Sequence, residues 1–334
     1  MSTAPSIPAT LDYRGALRRA LAEGMAADDR VVVMGEEVGR YGGAYAVTQG
    51  LFDTFGASRV LDTPISEAAL VGAAVGAAMT GLRPVAELMY VDFAGLAMDQ
   101  IVNQAAKIRY MFGGQVGVPL VLRTQGGTGR SAGAQHSQSL EAWFMHTPGL
   151  RVFVPATVTD AYVLLKEALR SEDPVIFIEH KALYTKQEVF DPDDALPAGR
   201  AAVRRAGTDL TIVSYSRMLH YAVEAAEQLA EQGIDAEIID LRTLNPLDSA
   251  TPAASVRRTG RALVVTEDSF TAGVSAELAA RLQRDAFDYL EEPVLRLAGE
   301  DTPIPVAPEL ETAAIPSVAK IVAAARLLVR TRRA

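Results

Sequence analysis

The feature that most narrows the fold is the character of the short apolar runs. Residues 31–34, Val-Val-Val-Met, have no polar face at all. A strand of that kind is buried on both sides of a parallel sheet, whereas one facing water alternates polar and apolar residues. Further short strands are expected at 60–61, 85–89, 119–123, 152–154 and 175–178, and segments of helical spacing lie between them. In residues 11–27, for example, Leu17, Ala20, Leu21 and Met25 fall on one side. Alternation of this sort predicts a doubly wound α/β domain. From 187 to 207 the chain is rich in Pro, Asp and Gly and loses its period, as a connection would. The pattern restarts at Leu210 and predicts a second, smaller α/β domain. The expected division is therefore 1–186, a linker at 187–207, and 208–334.

Composition removes several classes of function. A net charge of −9 in 334 residues argues against nucleic acid, since binding phosphates needs a basic footprint. The absence of cysteine rules out disulfides, thiolate zinc sites and a cysteine nucleophile, and it suits a reducing cytoplasm. The first residues lack the basic-then-apolar order of an export signal. The apolar runs break before the roughly 20 residues a bilayer demands, so a cytoplasmic chain without membrane contact is expected.

The stretch from Asp62 to Gly81 is the most unusual. A strand end passes through Pro64 to Ser66, a favoured helix cap, and Glu67 falls in the first turn, where the helix dipole favours a carboxylate. The helix that follows consists largely of Ala and Gly, with Gly72 and Gly76 four apart. Each glycine costs about 1 kcal/mol of helix stability against alanine, a cost that makes sense if another backbone must come close. Two readings stand side by side: a capped core helix, or a shared site at a subunit interface with one acid aimed out of its start.

Nucleotide motifs fail. Gly126–Gly133 follows a strand but misses the G-x-G-x-x-G spacing by one residue, and neither a P-loop nor a nucleophile elbow is present. None of His136, His146, His180 and His220 is paired at metal-ligand spacing. His136 follows the glycine loop on the carboxyl side of a strand, where open α/β sheets bind ligands; it is either a structural histidine or a proton-transfer group. Met89, Tyr90, Phe93 and Met111 read as core, or as a flat wall for a heteroaromatic ring. Asp99, Gln100 and Asn103 share one polar face of an expected long helix over 95–112.

Taken together, GEEVG at 35–39, TPISE at 63–67, VGAAVGAAMTGLRPVAE at 71–87, MDQIVNQAAKIRYMFGG at 98–114, AQHSQ at 134–138, PGLRV at 148–152 and DLRTLNPLD at 240–248 resemble the β subunit of thiamine-diphosphate-dependent 2-oxo acid dehydrogenases. The resemblance runs through nearly the whole chain and is nearest to the pyruvate and acetoin members. It implies a transketolase-like pyrimidine-binding domain followed by a transketolase C-terminal domain, in an α2β2 heterotetramer with β–β self-contact. It also implies docking to a dihydrolipoyl acyltransferase core. By the same resemblance the α subunit holds the diphosphate and Mg²⁺, Glu67 hydrogen-bonds the aminopyrimidine of thiamine diphosphate, and Phe93, Ile65 and Met89 line the ring. His136 then borders the substrate channel and protonates the lipoyl thiolate. Acids linking paired active sites map to Glu36, Glu67 and Asp99, with Leu96 at a further position where an acid would be expected. A potassium (K⁺) site in relatives maps to Leu120, Ala168, Leu169, Ser171 and Asp173, of which Ser171 and Asp173 depart from the family's residues. Competing readings are one half of a split transketolase-type enzyme and a non-catalytic docking subunit.

Overall fold

A computed structural model describes residues 10–194 and 196–330. The first nine residues, part of the stretch searched for an export signal, lie outside the described residues. Eight strands occupy the first half: β1 (Thr10–Asp12), β2 (Val31–Gly35), β3 (Val60–Asp62), β4 (Arg83–Leu88), β5 (Val121–Gly126), β6 (Arg151–Phe153), β7 (Val175–His180) and β8 (Gln187–Val189). Six follow: β9 (Ala202–Arg205), β10 (Leu210–Ser214), β11 (Ala236–Asp240), β12 (Thr243–Asn245), β13 (Ala262–Ser269) and β14 (Leu295–Gly299).

Strands β6, β7, β5, β4, β2 and β3 lie side by side and all parallel, as their two-sided apolar character requires. The second sheet runs β14-β13-β10-β11-β9, parallel except for β9. One face of the first sheet is covered by the helices Tyr13–Ala27 and Val158–Ala168, which bury Leu17, Leu21, Leu164 and Leu165 against Val33, Val85 and Phe177. On the other face Val71, Val75, Ala97 and Ile101 pack on Leu88, Leu122 and Ile176. That second cluster continues without a break into Val213, Ile239, Leu241 and Val264 of the second sheet. A single apolar core therefore crosses the domain junction.

Five expectations change. The span 187–207 contains two strands: β8 pairs with β1 as a small antiparallel ribbon, and β9 closes the edge of the second sheet. Likewise β12, from the second half, adds antiparallel to β6 of the first sheet. β8 and β9 were hidden because they are half exposed and lack the apolar signature of central strands, and β12 because its three residues are too short a run to show one. The helix over 95–112 is not continuous. It runs as short turns, Val91–Phe93, Ala94–Met98 and Ile108–Met111, around a π-helical stretch at Asp99–Ala105, where Ala106 N–H donates to the Ile101 carbonyl at 3.1 Å. A wide turn of this kind re-phases the helix, and Ile101, Ala105 and Ile108 all reach the core. The helix at Glu67–Met79 starts as expected, but the Ser66 side chain makes no capping bond. Finally, Pro308–Val329 is apolar and long enough to pass as a membrane span, contrary to the composition reading. It divides into Pro308–Ala313 and Val318–Arg330, and Ile321, Val322, Ala325 and Leu328 are buried in the second domain's core.

The DLRTLNPLD motif binds the halves together. Arg242, fully buried and with φ of +61°, donates from Nε to Asp160 Oδ1 at 2.7 Å. Its remaining nitrogens donate to the carbonyls of Leu196 (2.7 Å), Pro197 (3.1 Å) and Arg200 (2.8 Å). Arg204 bridges Asp160 and Asp240 beside it.

Candidate active site

The parallel strands end along one edge, with Gly35 opposite both Asp62 and Glu87, and Gly126 opposite His180. Because β2 has β3 on one side and β4 on the other, the connections leaving its end diverge and open a crevice. Two carboxylates enter it. Glu36 follows β2, and burial, then the charge of Glu67, push its carboxyl up from the ordinary range, which sets the two acids in each other's field. Glu67 is only 8% exposed and its carboxylate accepts no hydrogen bond among the described residues.

Around that acid the surface is apolar and open. Ile65 is 80% exposed, and Tyr41 and Leu96 are also exposed, as are Ala68, Ala69, Ala73 and Gly76 on the outer face of the helix. A Cβ at Gly76 would meet nothing within 4 Å, and one at Gly72 would meet only the flexible Gln100 amide, at 3.3 Å. Gly76 is not required by any contact among the described residues, and an alanine at Gly72 would need Gln100 to shift by a few tenths of an ångström.

The opposite wall is aromatic. Phe93 and Tyr90 stand edge to face at 5.8 Å, and the His136 ring meets Tyr90 at 4.9 Å and Phe93 at 5.3 Å. The structure thus brings His136 to Phe93, with Met89 at the end of β4, while Ile65 and Glu67 come from the neighbouring connection. Asp92 anchors the histidine segment by accepting from Gln138 N–H (3.1 Å) and Nε2 (2.9 Å). Of the acids expected to link sites, Asp99 is exposed and is engaged by its own helix, through Asn103 (2.7 Å) and Gln100 (3.1 Å).

Beneath the crevice lies an ion cluster that the sequence reading missed. Arg123 of β5 forks onto Glu179 of β7 at 2.6 and 2.7 Å and reaches Glu87 of β4 at 2.6 Å, all buried. Tyr184 donates to Glu179 at 2.6 Å and stacks on Tyr45 at 4.8 Å, and the Tyr45 and Tyr90 hydroxyls meet at 3.2 Å. The signal was available: a charge inside an otherwise apolar central strand demands a buried partner.

The glycine loop binds carboxylates of this same chain rather than a nucleotide. Thr128 N–H and Oγ1 donate to Glu267 at 2.6 and 2.8 Å, and Gly129 N–H donates to Glu311 at 2.9 Å. Ala182 N–H donates to His180 Nδ1 at 3.2 Å, so Nε2 carries the proton given to Glu267 at 3.0 Å. Burial opposes the charge on Glu267, but His180, Arg217 and the Thr128 N–H prevail and hold it well below the usual carboxylate range. Gly127, at φ +83°, has no alternative, since a Cβ there would land 2.0 Å from the His180 ring.

The five potassium-site positions do not fit a second cation. Leu120 carbonyl accepts from Val175 N–H (2.8 Å), Ala168 from Ser171 N–H (3.1 Å), and Asp173 from Ser171 Oγ (2.8 Å). The guanidinium of Arg83 donates to the carbonyls of Leu169 (3.2 Å) and Ser171 (3.0 Å), so a fixed positive charge already sits there. Among the described residues no three His, Asp or Glu side chains group for a metal ion. An acid with no hydrogen bond among the described residues and an aromatic cluster of Tyr90, Phe93 and His136, both on connections at the carboxyl ends of the parallel strands, are the kinds of group a flat nitrogen heterocycle requires.

Two α/β domains with this crevice define a protein of the transketolase class. Residues 9–187 match the transketolase pyrimidine-binding domain and 199–321 the transketolase C-terminal domain. The fold is similar to a solved structure titled split gene transketolase, inactive beta4 tetramer, with a TM-score of 0.79 and 25% identity over 97% of this chain and 99% of that one. Within the class, the chain belongs to the β subunits of thiamine-diphosphate-dependent 2-oxo acid dehydrogenases. It is 50% identical to pyruvate dehydrogenase E1 component subunit beta of Rhizobium meliloti (strain 1021), over 96% of this chain and 72% of that protein. It is 46% identical to acetoin:2,6-dichlorophenolindophenol oxidoreductase subunit beta of Cupriavidus necator, over 95% and 96%. The family and fold expected from the motifs stand, and membership carries thiamine diphosphate dependence and an α partner with it.

Proposed function

We propose that the chain forms half of an active site for oxidative decarboxylation of pyruvate, or cleavage of acetoin, completed by an α subunit in an α2β2 assembly. The observation that carries this is Glu67, only 8% exposed and with no hydrogen bond to its carboxylate among the described residues, at the start of a helix whose outer face is small and exposed. Thiamine diphosphate, when bound, supplies the nucleophilic carbon for the reaction, with its diphosphate and Mg²⁺ held by the α subunit. This chain's part is to keep a proton between Glu67 and the aminopyrimidine nitrogen, to pack Phe93, Met89 and Ile65 along the ring, and to exclude water. The outer face of the helix Glu67–Met79 seats the partner, and a β–β contact completes the tetramer. His136 borders the substrate and delivers a proton to the lipoyl sulfur released on acyl transfer, with the lipoyl arm carried by a dihydrolipoyl acyltransferase core. Such a complex works in the cytoplasm. The higher identity to dehydrogenase subunits than to the split transketolase favours this reading over sugar-phosphate transfer.

The test is Glu67→Gln reconstituted with the α subunit. Turnover falls at least about 100-fold, in the range for loss of a positioned acid–base group, while the tetramer still assembles by sedimentation. Near-normal turnover in an intact tetramer would overturn the role of Glu67.

A further inference from the structure

One group beside the aromatic wall has no part in the account above. Lys181, the residue after β7, is fully buried, yet it makes no ion pair among the described residues. Its Nζ donates to the backbone carbonyl of His136 and lies 5.7 Å from the centre of the Tyr90 ring, the same ring that meets the His136 imidazole. Asp92, Glu267 and Glu311 surround it at longer range, with Arg130 opposing them. Burial is the largest influence on this amine and draws its pKa below the ordinary lysine value. Burying an ammonium is expensive, and an aliphatic side chain would fill the same space without that cost. The burial makes sense if the carbonyl and the aromatic face are what must be held.

We infer that Lys181 is a positioning residue for His136: its Nζ locks the His136 carbonyl and the Tyr90 face, and so sets where the imidazole meets the reacting group. This rests on the proposed role of His136. The His136 segment follows the glycine-rich loop and is otherwise held by His136 N–H to the Gly133 carbonyl at 3.2 Å, by Gly127 N–H to the Gln138 carbonyl at 2.9 Å and by Gln138 to Asp92. Lys181 is the side chain that bonds the histidine's own carbonyl, from the end of β7. The affected step is acyl transfer. As the acyl carbon bonds one lipoyl sulfur, the S–S bond breaks, its electron pair passes to the other sulfur, and that sulfur takes the proton from His136.

The reconstituted tetramer tests this with K181M, K181Q, H136A and the K181M/H136A double variant. Each is assayed with a free lipoyl domain, its lipoyl group in the oxidised disulfide form, as acceptor and with dichlorophenolindophenol, a dye that needs no proton delivered to sulfur. K181M lowers lipoyl-linked kcat about tenfold more than dye-linked kcat, as a misplaced catalytic group does. K181Q, which keeps an N–H donor, regains part of the difference, and the double variant is no worse than H136A alone. Equal losses with both acceptors, or additive losses in the double variant, would show a merely structural lysine. If K181M does not fold, K181Q carries the same comparison. If H136A spares the lipoyl step, the assigned role of His136 falls and this inference with it. If H136A loses that step while K181M and K181Q keep it, only the inference falls.

Discussion

At the scale of single residues, the chain's most telling groups are charges placed where charge is costly. Glu67 and Lys181 flank the candidate site, and a third group, Glu141, lies behind it. Burial, then the charges of Asp268 and Glu267, push the Glu141 carboxyl up to about 8. Its Oε2 has no partner, and neither do Asp268 Oδ1 and the Tyr215 hydroxyl nearby in the core. Asp268 is pushed the same way, to about 6, again mainly by burial. The folded chain therefore keeps the Glu141 proton that an unfolded chain releases near 4.5. The stabilisation this gives is complete below about pH 4.5 and is lost as pH rises through 8. Glu141→Gln, which cannot ionise, gains on the wild type as pH rises, by roughly 4 kcal/mol at pH 8.5. Urea unfolding from pH 5 to 8.5 measures it, and parallel stability curves for the two proteins would contradict the assignment.

At the scale of elements, the helix Glu67–Met79 shows how a segment can be built for a neighbour outside its own chain. Its inner face, Leu70, Val71, Ala74, Val75 and Ala78, is buried in the ordinary way. Its outer face carries only small residues along most of its length, Ala68, Ala69, Ala73 and Gly76. Gly76 meets nothing and has helical φ, so Gly76→Ala stabilises the isolated chain by up to about 1 kcal/mol. Ala73→Arg, on the same exposed face, leaves the melting temperature of the isolated chain within a degree or two and abolishes assembly with the α subunit. Thermal melting and sedimentation of each variant separate the two effects. If Ala73→Arg assembles normally, the face belongs to solvent.

At the scale of the whole molecule, the two domains are joined by more than a linker. An apolar cluster runs from Leu70 to Ala286 across the junction, and Arg242 ties Asp160 to three carbonyls of the connecting segment. The glycine loop of the first domain is pinned by Glu267 and Glu311 of the second, on the side from which His136 projects. Domain docking thus fixes the loop that carries the candidate proton donor. Arg242→Met leaves Asp160 with Arg204 alone as its ionic partner, strips the donors from three carbonyls of the connecting segment, and costs about 3 kcal/mol, as breaking a buried, hydrogen-bonded charge network does. Calorimetry should show a lower but still single transition, because the shared apolar core still couples the halves. Two separated transitions in the wild type would contradict a common core.

Local pattern determined a good deal by itself. The apolar strands of the first sheet, their alternation with helices, the small-residue helix opened by Glu67, and the motif set naming the family were all legible, because each depends on neighbours a few residues away. Tertiary structure decided the rest. Arg123 finds Glu87 36 residues earlier and Glu179 56 residues later, and no local period reports such a partner. The donors of the glycine loop were spoken for by acids more than a hundred residues distant, which is why a motif search saw a failed nucleotide loop. The edge strands β9 and β12 and the wide turn at Asp99–Ala105 exist only because a sheet edge or a core lay ready to receive them. A polar group's partner is chosen by the fold, and burial makes that choice count: in water the same charges would need none.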